Sequence, residues 1–125
     1  MASDGVIGGF DSHVLPLYDM SIFTPEQYLR LRDHEAAHPD DFVPEPPALG
    51  IDNVFPADLA AYTTQKVSDL LVAGTQTIWL LYPLIPCIVV WTSDRVARLY
   101  GPSDTLPEPA DFPGCALSVG EIFAW

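Results

Sequence analysis

From Leu70 to Ser93 the chain carries no charged residue: LLVAGTQTIWLLYPLIPCIVVWTS. A run this apolar is buried, either in protein or in lipid. A membrane-crossing helix needs about 20 mainly apolar residues. Here Gly74, Thr75, Gln76 and Thr77 interrupt the start, and Pro83 and Pro86 fall in the middle. The run therefore reads as two buried strands, near 76–82 and 87–92, joined by a turn at YPLIP. That reading argues against a membrane span and leaves peripheral docking on a membrane complex open.

The rest of the fold is read around this pair. At 125 residues the chain is one small domain with enough length to bury a core. Residues 1–23 read as an N-terminal arm and 24–125 as the domain. A first helix starts at Thr24: threonine is a good N-cap, Pro25 fits the first helical position, and Gln27 completes a capping box. Tyr28, Leu29 and Leu31 are its expected apolar face, and Pro39 ends it, because the residue before proline avoids helix. An acidic, proline-rich connector spans 40–48, and ALGIDNVF (48–55) reads as a strand. Asp58 is the expected cap of a second helix running to Ala73, with Leu59, Tyr62, Lys66, Val67 and Leu70 at helical spacing and Gly74 as its stop. A further strand, 95–100, follows a turn at TSD (92–94), and the tail DFPGCALSVGEIFAW is expected to dock on the sheet. The fold class is α/β (α+β): a mixed β-sheet with a packed helix, and Leu70, Trp79, Leu81, Ile88 and Val90 in the core.

Charge narrows the partners. Seventeen acids against five bases give a net charge of −12. Such a surface repels phosphate backbones and binds nucleic acid only through a local basic patch, for which Arg30, Arg32, Lys66, Arg95 and Arg98 are the whole supply. Solubility is one reading of the acidity. Docking against a basic protein partner, or assembly into a homo-oligomer, is the other. Two cysteines, Cys87 and Cys115, make no disulfide framework, and no basic region followed by an apolar segment opens the chain. The expected setting is a bacterial cytoplasm.

DHEAAHPDDF (33–42) contains His-Glu-x-x-His, the pattern in which two histidines on one helix face hold zinc. Ligands at i and i+4 need a helix that continues past the second histidine. Here Pro39 follows His38 at once, and the flanks are charged. His34 and His38 are therefore expected on a solvated helix end, with a zinc hydrolase as a second alternative.

PALGIDNVFPAD (47–58), QKVSDLLVAGTQTIWLLYP (65–83) and DTLPEPADFPGCALSVGEIF (104–123) occur in an order that resembles the Uma-II family. Those proteins are endonucleases of the restriction-endonuclease-like, PD-(D/E)XK superfamily. They carry a Pro-Asp-Leu-x-x-Glu-Val-x-Ser-Pro strand, a helix with a lysine, a Tyr-Leu-x-Ala-Gly segment, a Trp-containing strand before a hairpin, and a closing Leu-Pro-Gly-Phe segment that ends in Glu-(Ile/Leu)-Phe. FTPEQYLRL (23–31) is similar to the family's opening helix.

The resemblance implies a reduced restriction-endonuclease-like core and marks departures from it. The family's strand aspartate falls on Ala48, its glutamate on Asp52 and its serine on Phe55, while Pro56 and the helix lysine, Lys66, are retained. Tyr82 stands where the family has an aspartate before the hairpin proline, and Cys115 replaces an aromatic. The region that supplies the family's first metal ligand is almost absent, and Pro39-Asp40 is its only candidate remnant. In such enzymes a divalent ion polarises the scissile phosphate and activates water, while a lysine stabilises the developing charge. By this resemblance the remnant catalytic residues are Asp52 and Lys66, and the remnant metal ligands are Asp40 and Asp52, with Asp41 beside them if the connector folds back. The plainer reading of Asp52 and Lys66 is a structural ion pair between strand and helix.

Three function classes follow. The first, favoured, is a catalytically degenerate domain that serves as a structural or interaction subunit and needs no cofactor. The second is a Uma-II-type endonuclease dependent on Mg2+ or Mn2+. The third is the zinc hydrolase.

Overall fold

The computed structural model describes residues 20–37 and 45–124. Five strands and three helices follow in order: β1 (Met20–Ile22), α1 (Pro25–Ala37), β2 (Leu49–Asn53), α2 (Ala60–Ala73), β3 (Thr77–Tyr82), β4 (Cys87–Thr92), β5 (Ala97–Tyr100) and α3 (Val119–Phe123). The strands form one mixed sheet in chain order. β2 and β3 are parallel and α2 is their crossover, while the other neighbours are antiparallel. The fold class read from sequence is therefore the observed one.

Strand alternation divides the central residues between two faces. On one face Leu49, Trp79, Leu81, Ile88 and Val90 are buried beneath Leu106 and Val119, with Phe112, Ile122 and Phe123 packed at the margin. The tail thus covers this face, as its apolar character suggests. On the other face Ile78 and Leu80 meet Val67 and Leu70 of α2. All five expected core residues are buried, and each large side chain removed from water contributes about 1.5–3 kcal/mol. Cys87, 7% exposed, is buried as a small hydrophobe.

Local chemistry fixes the ends of the elements. The capping box at α1 is present: Thr24 N–H donates to Gln27 Oε1 at 3.0 Å, and Gln27 N–H donates to Thr24 Oγ1 at 3.1 Å. α2 ends on Gly74, whose φ of 119° is left-handed and whose N–H donates to the Leu70 and Leu71 carbonyls. Pro113 and Gly114, with φ of 86° at the glycine, sit in a turn closed by Cys115 N–H donating to the Phe112 carbonyl at 3.2 Å. That is the residue pattern of a type II turn. Ser118 and Glu121 form a second capping box at α3.

Five expectations are corrected. The strand expected over 95–100 begins only at Ala97, because Arg95, with φ of 66°, belongs to the turn, and its N–H donates to the Thr92 carbonyl. Residues 20–22, read as the end of the arm, form the edge strand β1, because pairing with β2 supplies hydrogen bonds that the local sequence does not announce. The strand expected over 48–55 is shorter, since Pro56 and a turn at 55–58 end the pairing. The apolar face expected for α1 is not buried: Tyr28 and Leu29 are exposed, and Gln27, Leu31 and His34 are the half-buried positions. Gln27 reaches the Pro46 carbonyl at 2.9 Å, and Arg30 forks onto Glu45, so polar contacts hold this helix. Finally, Asp58 does not cap α2. Its carboxylate accepts the Phe55 N–H at 2.9 Å, Leu59 occupies the N-cap position without a side-chain bond, and Leu59 and Tyr62 lie exposed.

Candidate functional site

Asp52 and Lys66 come together. Alternation along β2 turns Asp52 toward α2, and Lys66 lies one turn before the buried Leu70. Lys66 Nζ donates to Asp52 Oδ2 at 2.9 Å, with side chains 14% and 12% exposed. The ammonium also lies 5.7 Å from the centre of the Tyr62 ring, within the range of a cation–π contact. The aliphatic stem of Lys66 covers apolar surface while its charged end meets the carboxylate.

The described residues alone do not supply the ligand set of a divalent ion. Such an ion takes several oxygen ligands at about 2.0–2.6 Å. Among the described residues no group of three or more His, Cys, Asp or Glu side chains could hold a metal. Ala48, at the family's aspartate position, is buried and carries no donor. The remaining candidates, Asp40 and Asp41, lie outside the described residues, as do Pro39 and His38. His34 lies near the end of α1, half-buried.

Beside the ion pair, where β2 and β3 end and α2 begins, is a cleft of about 320 Å³. Val54, Phe55, Leu80, Tyr82, Leu84 and Ile85 make its apolar wall, and among the described residues Asp58 is the only charged one that lines it. This position outside the C-terminal ends of parallel strands is where open α/β sheets commonly bind ligands. Burial pushes the Tyr82 hydroxyl above its ordinary range, with a smaller contribution from Cys87. Sequence reasoning missed the cleft. The available signal was the pair of aliphatic residues between Pro83 and Pro86, placed in a turn rather than in a core strand.

No family model matches the chain, and no curated protein matches it. Among solved structures it is similar to that of a "putative nuclease belonging to DUF820" from Anabaena variabilis. The TM-score is 0.59 at 23% identity, over 65% of this chain and 46% of that one. The chain thus spans less than half the length of that protein. At this identity the likeness establishes the fold alone: a mixed five-stranded sheet with packed helices, shared with that protein.

Proposed function

We propose that this chain is a catalytically silent member of the nuclease-like fold and serves as an interaction subunit of a larger assembly. The observation that carries this reading is the Asp52–Lys66 ion pair, which joins β2 to α2 where a metal-dependent nuclease would gather carboxylates. A carboxylate engaged by an ammonium ion balances charge within the domain. Among the described residues no group of three ligands gathers there to activate water through a divalent ion. The net charge of −12 adds repulsion toward a phosphate backbone, and the exposed apolar residues around the cleft suit a protein surface better than a nucleic acid.

The test is cleavage of plasmid and single-stranded DNA at low salt, with magnesium, manganese or zinc, by the full chain and by Asp52→Asn and Lys66→Ala. The expected result is no cleavage by any of the three, together with a lower melting temperature for Lys66→Ala. The Mg2+- or Mn2+-dependent endonuclease is the second reading, favoured by the fold and by the proximity of Asp52 to Lys66. It replaces the first if the wild type cuts and both variants do not. Cleavage that requires zinc and is lost in His38→Ala would move the function to the His-Glu-x-x-His segment.

A further inference from the structure

We infer that the cleft at the ends of β2 and β3 docks a segment of a partner protein that carries an aliphatic or aromatic anchor flanked by basic residues. The inference rests on the interaction-subunit reading and names its surface. Leu84 and Ile85, at the tip of the β3–β4 turn, are 73% and 67% exposed, and Phe55 across the cleft is 50% exposed. Such side chains at a turn tip are ordinarily polar, and here they face a concavity instead of a core. The floor is apolar, made by Val54 and Leu80, and it suits one large side chain in a volume of about 320 Å³.

Charge selects the occupant. Asp58 lines the cleft, none of the chain's five basic side chains does, and the whole molecule carries −12. A second copy would bring the same negative charge to the contact. A basic segment brings the opposite charge, which speeds encounter and adds specificity at the rim, while the anchor supplies desolvation at the centre.

The probes are three labelled synthetic peptides. One has a Trp-Leu anchor flanked by lysines, one has serines in place of the anchor, and one has glutamates in place of the lysines. Binding to the full chain is followed by fluorescence anisotropy at physiological ionic strength. The lysine-flanked, anchored peptide should bind at least about tenfold more tightly than either control. The Leu84→Ser/Ile85→Ser double variant should lose that preference, while Leu99→Ser, altering an exposed leucine on β5 away from the cleft, should retain it. Melting temperatures of both variants verify that they are folded.

Equal binding of the anchored and serine peptides, or binding untouched by the Leu84/Ile85 change, overturns the inference. So does a dimer, seen by sedimentation and dissolved by that change, that binds no peptide; the occupant is then a second copy. Plasmid cleavage is measured on the same preparation. Cutting defeats the silent-subunit reading, whereas peptide failure without cutting defeats the cleft alone.

Discussion

Lys66 and Asp52 lie 14 positions apart in sequence and 2.9 Å apart in space, each on a different element. The pair is mostly removed from water, so taking away one member strands the other. Lys66→Met keeps most of the apolar stem and should cost about 3 kcal/mol, near the lower end for a buried pair because both ends retain some solvent. Replacing both, as Asp52→Leu with Lys66→Met, should recover most of that loss. Urea unfolding of Lys66→Met, of Asp52→Leu alone and of the double variant measures the coupling. Strictly additive losses would show that the two residues do not act together.

Leu70 is fully buried between α2 and the sheet, whereas Val72 on the same helix is 69% exposed. Leu70→Ala should cost roughly 2–5 kcal/mol and Val72→Ala less than about 0.5 kcal/mol. Equal effects would mean that the wrong face of α2 had been assigned to the core.

Three carboxylates are held below their usual range by local bonds. Asp94 accepts from the Thr92 hydroxyl and the Val96 N–H, Glu121 from Ser118, and Glu45 from Arg30. A group whose folded pKa is depressed stabilises fully above its unfolded value, here 3.8 for aspartate and 4.5 for glutamate. It loses that contribution as pH falls through the folded value. Stability should therefore decline below about pH 5, and Asp94→Asn with Glu121→Gln should flatten the acid limb. An unchanged slope in thermal melts across that range would refute this assignment.

The two thiols should differ in reactivity. Burial raises the Cys87 thiol above its ordinary value and covers it, while Cys115 is half-exposed. The thiolate is the reactive form. Alkylation at neutral pH should modify Cys115 first and Cys87 only on unfolding, as peptide mass mapping can follow. Early labelling of Cys87 would place it at the surface.

What was legible in the sequence is what local chemistry decides. β3 and β4 were visible because apolar β-formers flank a proline turn, and α2 because Val67 and Leu70 recur at helical spacing before Gly74. The opening helix was visible through its Thr24–Gln27 box. β1 was not, because three residues at an edge owe their extended form to a distant partner, Leu49–Ile51. The inward positions of α1 were also hidden, since Gln27 is held by a carbonyl rather than by apolar contact. For the site, the family resemblance pointed to Asp52 and Lys66, and the place of Lys66 on the apolar side of α2 suggested that the two would pair. The cleft needed three separated segments brought together, and no single stretch announces that.

The tail's position on the sheet bears on the order of synthesis. α2 leaves the ribosome between the two strands that it bridges, so one side of the sheet can be clad as soon as β3 and β4 exist. Trp79, Leu81, Ile88 and Val90 must wait for Leu106 and Val119, which are made later. Until those arrive, a twisted sheet with one greasy side stands uncovered, the kind of surface that nascent chains use to misassociate. The residues from 104 to 123 therefore act as a late-arriving lid on the newborn domain, and the interval before they emerge is when it is most exposed to the wrong company.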